Sequence, residues 1–274
     1  MKLARAMLVV SVFLWVRAAA AVVFVEVPIV TQVQGVTRYR TSLAVSNVGV
    51  PTQLAYSFFY RSPVDGSMQS TTLLADVVPT NGAFATDDII EYLKSKGAIR
   101  TEDRTAALFG SLEIQVLDSV DATDISVVAR TYSPSLDGGT VGISYVGRPY
   151  NATNEAFTRI VTTVRNGAFG QDGNSRANLG FVSESNAPMD MHVTYIDAAT
   201  RLTLKSFNLS AAVGHLLAPR EVVQLNNVFA DPALAGSSRI IVIATVDSAQ
   251  TFTGYAVQLD NTTNDGSFFI MTER

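Results

Sequence analysis

The chain contains two imperfect copies of one unit, and that repetition limits its folding more than any other feature, because both copies must solve the same packing problem. Five blocks match in the same order. "IVTQVQG" from Ile29 matches "IVTTVRNG" from Ile160; Arg40, Leu43, Val45 and Pro51 match Arg176, Leu179, Phe181 and Pro188. Tyr56, Phe58 and Tyr60 answer the strand-like segment around Val193 and Tyr195, and "TDDIIEYL" from Thr86 answers "LNNVFADP" from Leu225. The last block, from Ile114 to Ile143, precedes its partner by a constant offset of 127, pairing Ile114 with Ile241, Ile125 with Phe252, Ala129 with Ala256 and Ile143 with Ile270. Proline, glycine and polar residues interrupt the pattern in "GRPYNATNE", so the seam falls there.

Within each copy the apolar period is two, the mark of a strand with one face on a core. Leu54, Tyr56, Phe58 and Tyr60 show it, as do Met191, Val193 and Tyr195. "RIIVIAT", apolar on consecutive positions, reads instead as a strand covered on both faces or placed at a contact between the copies. Turn sequences such as "PVDGS", "QDGNS", "LDGG" and "TNDGS" separate the runs. The expected fold is all-β: two tandem immunoglobulin-like β-sandwich domains, 22–148 and 157–274, joined by a linker at 149–156. One short helix is inserted in the first, at about 87–96: Thr86 or Asp87 caps it, Glu91 lies in its early turns, lysines close it and Gly97 takes the left-handed position after it. In the second copy Pro232 limits the matching segment to a single turn.

The motif R-x-x-L-x-[apolar]-x-[Asn/Ser] with its proline turn, the tyrosine-rich strand, the [Asp/Asn]-[Asp/Asn] helical turn and the final Gly-containing hairpin resemble the tandem β-sandwich repeats of exported proteins of unknown function in environmental bacteria. The resemblance spans nearly the whole chain after the first 21 residues. It implies the fold and export but no activity.

Residues 1–21 carry Lys2 and Arg5, an apolar run from Ala6 to Val16, and Ala18 to Ala21; this is the pattern of a cleaved export signal, ending near Ala20 or Ala21. The expected location is secreted, periplasmic or cell-surface, with no membrane span once the signal is removed. Cysteine is absent, which excludes disulfides and thiolate metal sites. Of 20 basic residues three leave with the signal, so 17 face 24 acids, without any basic cluster to favour nucleic acid.

Chemistry is sparse. His192 and His215, the two histidines, have no second histidine at metal-ligand spacing and no Gly-x-Ser-x-Gly elbow accompanies them. Asp87, Asp88 and Glu91 could serve as paired carboxylates, but they stand where a helix N-terminus favours acids. Asp118, Asp121 and Asp124 are the calcium candidates, ahead of Asp260, Asn264 and Asp265; neither group has EF-hand spacing. Tyr56, Phe58 and Tyr60 could form a sugar-stacking platform, although their phase with Leu54 points them to the core. Asn151, Asn208 and Asn261 begin glycosylation sequons. Arg40 and Arg176 are expected to pair with acids or carbonyl groups. No catalytic residue and no cofactor other than calcium is expected, so the reading is a non-enzymatic binding or interaction module for a protein or glycan outside the cytoplasm. The alternatives are a surface-assembly subunit donating the strand of Val23, Val25 and Val27, and an accessory domain of a secreted hydrolase.

Overall fold

The computed structural model describes residues 23–34, 38–117, 122–134, 139–150, 158–165, 175–246, 250–260 and 266–273. The expected export signal, Asp118 and Asp121 of the calcium candidate, and most of the expected linker lie outside these residues. The first set of strands is β1 (Val23–Gln34), β2 (Arg38–Asn47), β3 (Thr52–Arg61), β4 (Met68–Val78), β5 (Gly82–Thr86), β6 (Leu108–Val116), β7 (Ile125–Pro134), β8 (Thr140–Val146) and β9 (Arg148–Tyr150). The second is β10 (Thr158–Arg165), β11 (Ser175–Ser183), β12 (His192–Asp197), β13 (Thr203–Asn208), β14 (Val222–Leu225), β15 (Arg239–Thr245), β16 (Phe252–Asp260), β17 (Gly266–Ile270) and β18 (Thr272–Glu273). Two short helices, α1 (Ile89–Ser95) and α2 (Leu209–Val213), complete the elements used below. Neither is long and apolar enough to cross a membrane.

Pairing is antiparallel throughout the named strands. In the first set, sheet I has the order β4-β3-β6-β1-β9 and sheet II the order β5-β2-β7-β8, with β1 reaching β2 at a corner where Val33 meets Tyr39. In the second set, sheet III is β13-β12-β15-β10-β18 and sheet IV is β14-β11-β16-β17, the same orders with each label advanced by nine. The result is a mostly β, sandwich-like architecture. Both first strands even carry the same bulge, with Pro28 and Ile29 opposite Ser111 and Thr162 and Thr163 opposite Ile241.

The register refines the sequence alignment. Leu43 pairs with Ala129 and Thr86, and Leu179 pairs with Ala256 and Leu225, so those matches hold residue for residue. Three others are displaced by three residues. Val27 and Leu112 correspond to Val161 and Val242, which sets Ile114 against Ala244 rather than Ile241 and Ile29 against Thr163 rather than Ile160. In the final hairpin Ile143 pairs with Thr131 and Ser267 with Gln258, so Ile143 corresponds to Ser267 and Ile270 to Val146. Runs of isoleucine and valine resemble one another at several offsets; strand pairing admits only the one that keeps each side chain on its face.

Each set closes on its own core. Leu43, Val45, Tyr56, Phe58, Leu112 and Ile114 fill the space between sheets I and II; Leu179, Phe181, Val193, Ile240, Val242 and Phe252 fill that between III and IV. Each such side chain contributes about 1.5–3 kcal/mol relative to exposure. The helix α1 begins later than expected. Thr86 is still held in β5 by its pairing with Leu43, so Asp88 is the N-cap, accepting from the Glu91 backbone N–H at 3.0 Å. Gly97 then takes φ +75°. In the second set the matching segment starts at Asn227 and makes only 3-10 turns at Val228–Ala230 and Pro232–Leu234. The strand β9 also carries the pattern into residues 149 and 150, where the sequence suggests linker.

The strand covered on both faces is not the one the sequence suggests. In β15 only Ile240, Val242 and Ala244 are buried, while Ile241 and Ile243 are half-exposed on the outer face of sheet III. Double coverage falls instead on β11 and β16. Phe252 and Ala256 face their own core, whereas Tyr255, Val257 and Leu259 join the core cluster of the first set. The outer face of sheet IV therefore lies on the outer face of sheet I, and sheet III keeps its outer face free of that contact.

Candidate binding site

Two kinds of contact hold the sets together. At one end an aromatic stack crosses the junction: Phe268 of β17 lies between Tyr145 of β8 at 4.7 Å and Tyr255 of β16 at 5.2 Å, with rings 26° and 21° from parallel. Such pairs add about 0.5–1.5 kcal/mol each beyond the area they bury. Gly180 makes this possible, because a Cβ there would stand 1.9 Å from the Tyr255 ring. At the other end charges cross. Arg148 of β9 hydrogen-bonds Glu184 and Thr253, and its Nη2 stands 3.8 Å from Glu26 Oε2. Arg220 meets Glu113 at 3.7 Å, and Arg61 meets Glu221 at 2.7 Å.

Two carboxylates thus share one guanidinium at Glu26, Glu184 and Arg148. Burial, reinforced by the Glu184 charge and opposed by Arg148, raises Glu26 from 4.5 to about 8. Glu26 Oε2 and Arg148 Nε are buried without a hydrogen bond, so the cluster is incompletely satisfied.

Between the aromatic stack and the sheets a cavity of about 290 Å³ remains open, lined from both sets. Its apolar wall comes from Ile29 and Val33 of β1, Phe109 of β6, Ile143 of β8, and Val257, Leu259 and Phe268 of β16 and β17. Its polar groups are mostly committed elsewhere. Tyr145 Oη donates to the Ile29 carbonyl and shares a hydrogen bond with Thr131 Oγ1 at 3.1 Å. Tyr255 Oη donates to Gln224 Oε1 at 3.3 Å, Gln224 Nε2 donates to Asn226 Oδ1 at 2.7 Å, and Asn178 Oδ1 accepts from the Asn227 N–H at 2.9 Å. Burial pushes both phenols above their ordinary value, so they stay neutral donors. Arg176 is the one formally charged side chain among the described residues of the lining.

The residues singled out by sequence fall elsewhere. His192 is exposed on sheet III, its Nδ1 3.2 Å from Asn208 Oδ1. His215 Nε2 lies 2.9 Å from Glu221 Oε1 at the junction, and its Nδ1 contacts the Val213 carbonyl. Asp88 and Glu91 both accept from Gln32 Nε2, at 2.8 and 3.2 Å, which ties α1 to β1. Tyr56, Phe58 and Tyr60 lie in the core of the first set, Phe58 stacked on Tyr60 and Tyr60 Oη donating to Asp103 at 2.9 Å. Asp124 closes a 3-10 turn with its carbonyl accepting from Val48 N–H at 2.9 Å; no group of three or more His, Cys, Asp or Glu gathers among the described residues. Arg40 Nε stands 4.0 Å from Asp88 Oδ2, and Arg176 lies in the lining of the cavity. The junction cluster had one signal in the sequence, a glutamate at 26 inside the apolar run "VFVEV". No family model matches this chain, and no curated protein sequence is similar to it.

Proposed function

We propose that the chain is an exported, non-catalytic binding module of two immunoglobulin-like β-sandwiches, and that its ligand occupies the cavity between them. The observation that carries this reading is a concave, largely apolar space, about 290 Å³, lined from both sets at the junction that stacked rings and ion pairs hold together. Small-molecule sites favour such places, at interfaces between units and with a few polar groups on an apolar wall. Export rests on the sequence pattern of residues 1–21. Strand donation is the weaker alternative, because β1 is already paired with β6 from Val23 to Gln32 and with β9.

The test is a thermal-shift and ligand-observed NMR screen of small apolar compounds on the chain lacking its first 21 residues. Val257→Trp, which fills the cavity, is expected to abolish the response to compounds that stabilise the native chain. Compounds that bind equally well to a folded Val257→Trp variant would refute the cavity as the site.

A further inference from the structure

We infer that the outer face of sheet III joins two copies of this chain, face to face about a two-fold axis, into a homodimer. The inference is independent of the cavity. It starts from the docking inside the chain, where sheet IV of the second set covers sheet I of the first. Sheet III is the counterpart of sheet I, and Ile196, Ile241 and Ile243 on its outer face stay partly exposed. The register places Thr194, Ile196, Ile241 and Ile243 where sheet I has Ser57, Phe59, Ser111 and Glu113. In sheet I that face is already an interface: Ser111 Oγ donates to the Arg220 carbonyl at 3.1 Å, and Glu113 meets Arg220 at 3.7 Å. The face of sheet III thus carries isoleucine at two positions where its covered counterpart carries serine and glutamate, and burial of apolar area drives association. Polar groups beside the isoleucines are paired across strands. Thr194 Oγ1 shares a hydrogen bond with Ser206 Oγ at 3.0 Å, and His192 Nδ1 lies 3.2 Å from Asn208 Oδ1, so a partner covers them without breaking a bond.

Charge selects which face of the second copy fits. Repeating the internal docking between molecules would lay sheet II on sheet III and propagate an open filament. Within the chain Val257 and Phe109 line the same cavity, and their counterparts are Arg130 and Arg239. Sheet II on sheet III would therefore set two guanidinium groups against each other, a penalty that steers against this arrangement. Sheet III on sheet III avoids it. β15 is the central strand of the five, so two β15 strands crossing antiparallel at Val242 bring Ile241 and Ile243 of one copy onto those of the other. The two Arg239 side chains then stand about 20 Å apart, beyond the screening length of about 10 Å at moderate salt. Five strands make a face of about 24 by 20 Å, so the two copies cover on the order of 1,000 Å² together, the size at which specific interfaces begin. An interface of that size is reversible, with a dissociation constant on the order of 10 μM.

The experiment is sedimentation velocity of the chain lacking residues 1–21, from about 1 to 200 μM, a range that brackets that constant. Monomer is expected at the low end and dimer at the high end. Ile243→Lys should weaken dimerisation by about a hundredfold or more, because each copy brings a cation to the centre of the contact. Thr194→Arg, on the neighbouring strand, should do the same and decides the matter if Ile243→Lys lacks native circular dichroism. Val128→Lys, on the exposed outer face of sheet II, should change the constant by less than about twofold. The chain contains no cysteine, so Ile243→Cys supplies a single thiol that a short bismaleimide should link into a covalent dimer, whereas Val128→Cys should stay monomeric in the same treatment. A monomer throughout the range, or a dimer that survives both Ile243→Lys and Thr194→Arg in folded variants, overturns the pairing. Species growing beyond a dimer, or dissociation by Val128→Lys, overturns the two-fold assignment in favour of sheet II on sheet III.

Discussion

Replacing Glu26 by glutamine should make the protein more stable in alkali and remove much of its pH dependence. Glu26 is a buried acid raised from 4.5 to about 8, chiefly by burial and then by Glu184. Between those pH values the native state binds a proton that the unfolded chain has released, so stability falls as pH rises. The favourable contribution of Glu26 is complete below about pH 4.5 and gone above about pH 8. While Glu26 is protonated it adds no charge beside Arg148 and Glu184; once it ionises, two carboxylates oppose one guanidinium, with Glu113 on the neighbouring strand answered by Arg220. The shift sets a ceiling of about 5 kcal/mol, and local relaxation and water entry at the junction bring the expected effect to about 2–3 kcal/mol. Urea unfolding of the wild type and Glu26→Gln at pH 5 and pH 9 reads it directly. The two proteins should differ little at pH 5, and the variant should gain about 2–3 kcal/mol relative to wild type at pH 9. Parallel stability profiles across that range would refute the reasoning. Glu184→Gln separates pairing from titration, because it removes the close partner of Arg148 and should cost about 2–4 kcal/mol already at pH 5.

The repeat supplies a matched pair of tests. Asn47 Nδ2 donates to the carbonyls of Val50 and Val78 at 2.7 and 3.0 Å and its Oδ1 accepts from Gly49 N–H, so Asn47→Ala should cost about 2–3 kcal/mol in urea unfolding. At the corresponding position Ser183 Oγ is buried without a hydrogen bond, and Ser183→Ala should be neutral or slightly stabilising, within about 0.5 kcal/mol. Gly180→Ala should expel the Tyr255 ring from the junction and cost about 3 kcal/mol or more, seen as a lowered melting temperature and a loss of near-ultraviolet circular dichroism from the stacked rings.

Much of the architecture was legible in the chain. Period-two alternation in Leu54, Tyr56, Phe58 and Tyr60 identified a core-facing strand, and those residues are buried in the first set. The matches of Leu43 with Leu179, Ala129 with Ala256 and Thr86 with Leu225 coincide with the strand register. The helix was placed to within two residues, its start moved because Thr86 remained in the ladder. These features are local: alternation, capping and turn chemistry act within a few residues, so the sequence displays them directly.

Which faces meet was decided only in the folded protein. Val128 and Tyr255 occupy corresponding positions, opposite Ala44 and Gly180, yet Val128 is 42% exposed and Tyr255 fully buried. The same strand has one covered face in the first set and two in the second, because only sheet IV lies against sheet I. Nothing in the local period of β15 or β16 records that choice, and "RIIVIAT" suggested the wrong strand for it. The cavity and the cluster of Glu26, Glu184 and Arg148 arise from the same docking, since each takes residues from both sets. By itself the sequence determined two copies of a sandwich-like unit and which runs in them are core-facing strands. Tertiary packing decided which outer faces became interior, and so where a charge was desolvated and where a space was left to bind.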